Sequence, residues 1–341
     1  MASKALLDAW KDLLALCRLQ RGESVAVLVG EITHPEHLAA VKSTLSAQGH
    51  IYYVLELGDS PNIGLAGDST AAYVPTALAA NRVAIDALKQ TPLIIDLMGM
   101  YRGGEQKEIL DAGARIILVK EGPEAFIRLK PEQADKTRVL SALDRFKKTR
   151  QMRVTSEAGT DLVASFGNYD YLSQYGFSDE PGHWDHCPSA FIAAWPTEET
   201  VNGRVVLNAG DVILPFKYYL QTPIDLRIEN GYIQSIEGGF DAKYLRDYMA
   251  SFNDPEGYAV SHLGWGLHRR AHWTALGMYD KRQTNGMDSR SFEGCFMFST
   301  GPNIEGGGSR ETACHLDIPM LDCTVAMDDV TVVKEGKLVE G

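Results

Sequence analysis

The feature that most constrains the fold is an alternation of apolar runs and helical patterns over residues 5–119. Strands are predicted at 24–29, 51–57, 92–98 and 115–119, and helices at 5–20, 35–48, 76–90 and 105–112. Strands that alternate with helices indicate a parallel sheet with helices on its faces. Residues 1–150 are therefore predicted to form an α/β domain, whose ligands would lie beyond the carboxyl ends of its strands.

The pattern changes after residue 150. Short strands are predicted at 204–208, 212–214, 224–228 and 232–236, with one helix at 242–252. Asn202-Gly203 and Asn230-Gly231 adjoin these strands, and Asn-Gly is typical of hairpin turns. Residues 151–341 are therefore predicted to form a second, mainly antiparallel α+β domain.

Composition restricts the partners and the compartment. The formal net charge of −12 disfavours nucleic acid and anionic membranes as partners. No apolar run reaches the roughly 18 residues of a membrane span, and Asp8, Lys11 and Asp12 make the first segment an amphipathic helix rather than a signal peptide. Five cysteines without a CxxC pair suit a reducing environment. A cytoplasmic protein is therefore predicted.

A histidine and a carboxylate stand side by side near the C-terminus. Residues 312–321 are predicted to form a buried strand, on which His315 and Asp317 share one face because side chains alternate. A buried carboxylate needs a neutralising partner. Two interpretations remain open: a structural hydrogen-bonded pair or a metal site. The preceding run Gly306-Gly307-Gly308 permits a close backbone approach, although a plain hairpin would also use it.

A second histidine can complete a ligand set. His262 follows an apolar stretch and is expected to end a strand at a tight turn. Together, His262, His315 and Asp317 form the 2-His-1-carboxylate set of non-haem Fe(II) oxygenases, which leaves other metal positions open. His268 and His272 flank two arginines and are expected to be surface or partner-binding histidines instead.

Several phrases of the second half resemble, in the same order, the catalytic domain of the M29 metallo-aminopeptidases. The phrases are residues 155–162, 196–203, 262–266, 292–301 and 306–317. The resemblance implies an M29-like fold, but it also shows departures. No carboxylate occurs in residues 190–195, where the family has a metal-binding Glu, and a family His falls near Met297. The resemblance thus implies one metal rather than two.

With the segment PGHWDHCPS at 181–189, the altered pattern resembles the 2,5-dihydroxypyridine 5,6-dioxygenases of nicotinate catabolism. This resemblance implies an Fe(II)-dependent, extradiol-type ring-cleaving enzyme. Its metal ligands would be His262, His315 and Asp317. The substrates would be a small dihydroxypyridine and O₂, and the product N-formylmaleamate. It also implies a homo-oligomer.

Further residues are candidates for catalysis and substrate binding. His186 is the preferred general base and His183 the second candidate, with Asp185 as a possible orienting group, because histidine titrates in the required range. A structural role for this segment stays open. Tyr101, Arg102 and Arg290 are predicted to contact the substrate.

Three other functions remain as alternatives. A related dioxygenase for another hydroxylated pyridine or heterocycle would keep the three metal ligands and vary the pocket. An M29-type metallo-aminopeptidase would need two metals, and a non-enzymatic scaffold would need none. Metal analysis separates the classes.

Overall fold

The computed structural model describes residues 2–58, 78–100, 104–214 and 216–339. The helices within these ranges are α1 (Lys4–Leu16), α2 (Pro35–Ala47), α3 (Arg82–Lys89), α4 (Gly104–Asp111), α5 (Pro123–Arg128), α6 (Gln133–Lys148), α7 (Phe240–Ser251) and α8 (Met287–Arg290). Short 3-10 turns occur at Glu198–Thr200, Pro255–Tyr258, Trp273–Gly277 and Ile304–Gly306.

The strands of the described residues form four sheets. In chain order they are β1 (Ser24–Val29), β2 (Ile51–Glu56), β3 (Leu93–Asp96), β4 (Arg115–Val119), β5 (Gln151–Ser156), β6 (Asp161–Ser165), β7 (Tyr171–Gln174), β8 (Trp184–Cys187), β9 (Phe191–Ala194), β10 (Asn202–Leu207), β11 (Val212–Ile213), β12 (Tyr218–Tyr219), β13 (Ile224–Glu229), β14 (Tyr232–Gly238), β15 (Val260–Gly266), β16 (Phe296–Thr300), β17 (Leu316–Met320), β18 (Cys323–Met327), β19 (Val330–Lys334) and β20 (Lys337–Leu338).

The first sheet confirms the predicted parallel α/β half. Its order is β2-β1-β3-β4-β8, and every neighbouring pair is parallel. Side chains of β1 alternate between two apolar layers: Val25 and Val27 pack with α1 and α2, whereas Ala26 and Leu28 pack with α3. Such two-sided burial explains why β1 is apolar throughout.

One strand of this sheet comes from beyond residue 150. β8 pairs in parallel with β4, in the register Ile117 to Asp185 and Leu118 to His186. The sequence did not predict this strand, because WDHC is short and polar. The domain boundary at residue 150 stays a prediction, but the two halves share a sheet and a continuous apolar cluster that runs from Leu6 to Val333.

The remaining sheets confirm the antiparallel second half. An eight-stranded sheet has the order β14-β13-β10-β6-β5-β18-β19-β20, a five-stranded sheet has the order β17-β16-β15-β9-β7, and β11 pairs with β12. The strand predicted at 312–321 is shorter, because only Leu316–Met320 is extended in the sheet. None of the helices in the described ranges is long and apolar enough to cross a membrane.

Candidate metal centre

The antiparallel five-stranded sheet, β17-β16-β15-β9-β7, brings His262 and Asp317 together across one intervening strand. Asp317 on β17 pairs with Ser299 on β16, so both side chains point to the same face. β15 follows on the other side of β16, and its register shifts between Val260 and Leu263. His262 lies inside this irregularity. The prediction that it ends a strand was wrong, because β15 continues to Gly266.

Close strand packing around His262 depends on a glycine. Gly264 pairs with Ala193 of β9. A Cβ atom at Gly264 would lie 1.9 Å from the carbonyl oxygen of Ile192, a distance that no side chain can adopt. Glycine therefore lets β9 and β15 approach each other, and this packing holds the backbone that carries His262.

The three predicted ligands converge on one point. His262 Nε2 lies 3.2 Å from Asp317 Oδ1, and His315 Nε2 lies 3.6 Å from the same oxygen. One donor atom from each side chain falls within 4.8 Å of the other two. It is the one group of three or more His, Cys, Asp or Glu side chains with metal-binding spacing in the part of the chain that the structure describes.

Backbone contacts orient His315. Its Nδ1 lies 2.8 Å from the carbonyl oxygen of Thr300, so Nδ1–H donates and Nε2 keeps its lone pair for a metal. Burial lowers the pKa of His315 to about 4, despite the opposing effect of the Asp317 carboxylate. A neutral imidazole is the form that coordinates a metal. His315 lies just before β17. Its ring is therefore positioned both by the neighbouring strand and by the hydrogen bond to the Thr300 carbonyl oxygen.

The Asp317 carboxylate divides its two oxygens between different partners. Oδ2 lies 2.7 Å from Nη2 of Arg290. Oδ1 faces the two imidazoles but has no hydrogen bond of good geometry among the described residues. Burial would raise the pKa of Asp317, but Arg290 and the two imidazoles outweigh burial and hold that pKa well below its usual range. A buried, ionised oxygen beside two imidazoles fits a divalent metal.

The short helix α8 places Arg290 in this centre. Arg290 is 6% exposed, and its Nη1 lies 3.5 Å from the sulfur of Met287. The general expectation for an arginine in a polar loop is a solvated side chain, and the structure shows otherwise. Arg290 is therefore a buried counter-charge for Asp317, and its predicted contact with a substrate stays a prediction.

A tryptophan that the sequence did not single out forms part of the wall. The Trp195 ring meets the His262 ring edge-on, with centroids 5.6 Å apart and an interplanar angle of 76°. Gly306 packs so closely on Trp195 that a Cβ there would lie 2.6 Å from the indole ring. The close approach expected of the glycine run is thus to Trp195 at Gly306, and to Asn303 at Gly308. The signal in the sequence for Trp195 was its position directly before Pro196, where the M29 pattern has a metal-binding Glu.

His186 and His183 occupy different surroundings. His186 is fully buried on β8, and burial, together with the nearby cations Arg290 and Lys120, holds its pKa well below the usual range. His183 instead stacks on Tyr175 at 5.0 Å between ring centroids, and its Nδ1 lies 3.3 Å from the Tyr175 hydroxyl. The charge of Arg290 thus lowers the pKa of His186, whereas the charges that act on His183 are those of Asp179, Glu180 and Lys136.

Asp185 has a structural setting. Its carboxylate accepts hydrogen bonds from the backbone amides of Tyr175, Gly176 and His186, and lies 3.8 Å from His183 Nε2. It therefore binds backbone rather than the His186 ring. Two further predicted residues, Tyr101 and Arg102, lie outside the described residues.

The expectation for His268 was wrong. It is 1% exposed rather than a surface residue, and its Nε2 lies 3.1 Å from the carbonyl oxygen of Leu129. His272 precedes a 3-10 turn, and its backbone amide donates to Asp288. Neither histidine belongs to the group of metal-binding spacing.

Two buried hydroxyl groups on the strand next to β17 were also missed. Ser299 Oγ and Thr300 Oγ1 are buried and have no hydrogen-bond partner among the described residues. Both lie on β16 and pair directly with β17, Ser299 with Asp317 and Thr300 with Leu316. The sequence offers little signal for them, since Ser and Thr are common in buried antiparallel strands.

Comparisons with known proteins agree on one family. The family model NicX, described as 2,5-dihydroxypyridine 5,6-dioxygenase, matches residues 5–340. A curated protein of Pseudomonas putida KT2440, named 2,5-dihydroxypyridine 5,6-dioxygenase, is 44% identical over 340 residues, which are 99% of this chain and 97% of the relative.

Solved structures extend the comparison. The structure of a 2,5-dihydroxypyridine dioxygenase from Pseudomonas putida KT2440 has a TM-score of 0.96 and 44% identity, with 100% of this chain and 99% of the other covered. AmpT from Thermus thermophilus, an M29 aminopeptidase, has a TM-score of 0.61 at 13% identity, with 99% of both chains covered. The second likeness confirms the predicted fold and carries no function.

Proposed function

Because the chain belongs to the 2,5-dihydroxypyridine 5,6-dioxygenase family, we propose that it is a ring-cleaving dioxygenase that opens 2,5-dihydroxypyridine between C5 and C6. O₂ is the co-substrate, and both its atoms enter the product, N-formylmaleamate, in the breakdown of nicotinate. The observation that carries the proposal is the convergence of His262, His315 and Asp317 in a chain that matches this family over its full length.

The residues fit a ferrous ion as the cofactor. Two neutral imidazoles and one carboxylate form the donor set of non-haem Fe(II) oxygenases. His262 and His315 would bind through Nε2, and Asp317 through Oδ1, the buried oxygen that lacks a good hydrogen bond. When bound, Fe(II) would supply open coordination positions and redox chemistry for a ring hydroxyl and O₂, as in extradiol-type cleavage.

The chain's own residues supply charge and proton transfer. Arg290 holds Asp317 Oδ2 at 2.7 Å, which leaves Oδ1 for the metal and keeps a positive charge near an anionic substrate. His186 is the proposed general base, because its buried imidazole is neutral and lies within the electrostatic influence of Arg290. The same lowered pKa makes this imidazole a weaker base than a free histidine. His183, with its ring stacked on Tyr175, is the weaker candidate.

The alternatives receive less support. A dioxygenase for another hydroxylated pyridine would share the same three ligands, so only substrate tests separate it. A metallo-aminopeptidase would need a second metal, and the described residues provide one group of suitable spacing. The full-length match and the TM-score of 0.96 favour the dihydroxypyridine enzyme over the more distant AmpT likeness.

O₂ uptake by anaerobically Fe(II)-loaded protein tests the function. On addition of 2,5-dihydroxypyridine, one O₂ should be consumed for each substrate molecule, and His315→Ala should abolish uptake because it removes a ligand. Uptake only with another hydroxylated pyridine would change the substrate assignment. No iron binding by the wild type would overturn the proposed metal site.

The proposed enzyme acts on small molecules, and two attributes of it stay predictions. A homo-oligomer is expected, which size-exclusion chromatography with light scattering would measure. A cytoplasmic location is expected, which fractionation of cells that express the chain would examine.

A further inference from the structure

We propose that Glu121 is a positioning residue for the metal centre: it fixes the start of α8 and thereby holds Arg290 against Asp317. This inference rests on the proposed function, because it assigns a role in that same site. Glu121 is not a ligand, and it touches none of the three ligand side chains in the described contacts.

Glu121 binds the segment that leads into α8. It follows β4 in the first sheet and is 1% exposed. Its Oε1 accepts the backbone amide of Met287 at 2.7 Å, and its Oε2 accepts the Thr284 hydroxyl at 2.8 Å. The backbone amide of Asn285 is a further donor. A single buried carboxylate thus holds a loop that lies far away in the sequence.

The same helix turn carries Arg290. Met287 begins α8 and Arg290 ends it, so a displacement of the first residue moves the last. The sulfur of Met287 also contacts Arg290 Nη1 at 3.5 Å. Arg290 Nη2 then lies 2.7 Å from Asp317 Oδ2. A continuous series of contacts therefore connects Glu121 with the carboxylate that would bind the metal.

Glu121 itself is anchored firmly. Its carbonyl oxygen accepts from Nε2 of His37 at 2.9 Å, and Nδ1 of His37 accepts from the indole N–H of Trp10 at 3.2 Å. Burial lowers the pKa of His37 to about 4, so the ring is neutral at physiological pH and keeps this tautomer. Phe126 packs on both rings at 5.0 Å between centroids.

A second contact from the first half also holds α8. Asp288 accepts from Arg128 of α5 at 2.5 Å and from the backbone amide of His272 at 2.7 Å. Arg128 and Glu121 together fix α8 to the parallel-sheet half of the molecule. Of these two residues, Glu121 is the one that binds Met287, whose sulfur contacts Arg290.

Glu121→Gln is the test variant, and Glu124→Gln is the matched control. Glutamine keeps the shape of the side chain but replaces one acceptor oxygen with an N–H donor, so it cannot accept from both ends of the loop. Glu124 lies near Glu121 on the same cavity wall but is exposed. Loss of one buried hydrogen bond is expected to lower kcat/KM about tenfold in Glu121→Gln, and Glu124→Gln should leave it unchanged.

A double-mutant cycle with Arg290→Met separates positioning from general destabilisation. If Glu121 acts through Arg290, Glu121→Gln should cause little further loss in the Arg290→Met background. The d–d absorption of Co(II)-loaded protein should shift in the same direction in both single variants, with no additional shift in the double variant. Thr284→Val should give a smaller change of the same sign.

The outcomes distinguish two failures. If the wild type shows no O₂ uptake with 2,5-dihydroxypyridine, the proposed function fails, and the Co(II) spectra still test the inference. If the wild type is active but the effects of Glu121→Gln and Arg290→Met multiply, or the Co(II) spectrum of Glu121→Gln equals that of Glu124→Gln, Glu121 does not act through Arg290. Should Glu121→Gln fail to fold, Thr284→Val in the same cycle decides between these results.

Discussion

Replacement of Arg290 by Met should lower the stability of the metal-free protein and raise its affinity for the metal. In the metal-free state, Arg290 is the close cationic partner of the buried Asp317 carboxylate. Removal of one partner from a buried ion pair costs about 3 kcal/mol, because the remaining charge is left without compensation. For a chain of this size, the expected decrease in melting temperature is about 5 °C in the presence of a chelator.

Metal binding should reverse most of this loss. A ferrous ion on Asp317 Oδ1 supplies the missing positive charge, whereas in the wild type it must bind beside the Arg290 guanidinium. If the deficit of about 3 kcal/mol falls to about 1 kcal/mol with metal, linkage requires that the variant binds the metal about 30-fold more tightly. Activity should nevertheless fall, because Asp317 loses the contact that orients it.

Two measurements check this reasoning. Melting temperatures are compared with chelator and with anaerobic Fe(II), and the metal affinity of both proteins is measured by competition with a chromogenic chelator. Arg115→Met is the matched control: the side chains of Arg115 and Arg290 are both 8% exposed, and Arg115 pairs with Glu23 at 2.9 Å in another part of the molecule. Equal deficits with and without metal in Arg290→Met would refute the counter-charge role.

Three other predictions follow from packing, burial and charge. Gly264→Ala places a Cβ 1.9 Å from the Ile192 carbonyl oxygen, so it should lower the free energy of unfolding by about 3 kcal/mol and reduce the amount of bound metal. Gly104→Ala, whose Cβ would meet nothing within 4 Å, should change neither quantity. Calorimetry measures the stability and metal analysis the bound metal. Burial raises the pKa of Asp211 to about 7 from an ordinary value near 3.8, so its contribution to stability is complete below about pH 4 and is lost as pH rises to 7. The melting temperature of the wild type should therefore fall relative to that of Asp211→Asn over this pH range. A constant difference between the two melting temperatures would contradict the shifted pKa. All five cysteines are free and buried, so a thiol reagent should react with five groups after unfolding and with almost none before it; rapid reaction of the folded protein would contradict their burial.

The sequence predicted the elements that depend on local periodicity. β1 and β4 were predicted with the bounds that they have, and α2 and α4 within one residue. Apolar runs and helical spacing report on neighbours along the chain, so such elements can be recognised without knowledge of the fold. β8 was missed for the opposite reason: its pairing with β4 is a contact between distant segments.

Ligand chemistry was also accessible from the sequence, whereas its surroundings were not. The i, i+2 spacing of His315 and Asp317 indicated a shared face, and the resemblance to a known family added His262. The surroundings required the tertiary structure: Arg290 became the counter-charge of Asp317 through α8, Trp195 became a wall because Gly306 packs on it, and His268 proved to be buried.

The sequence by itself thus determined the class of fold, the family resemblance and the three candidate ligands that the structure brings together, because composition and short-range spacing are properties of the chain. Only the tertiary structure decided which charges neutralise one another and which elements hold them in place. Glu121 and Met287 are 166 positions apart, yet their hydrogen bond fixes the helix that carries Arg290. A contact over that distance has no local pattern, since it exists only when α8 packs against the segment that follows β4 and both partners are removed from water.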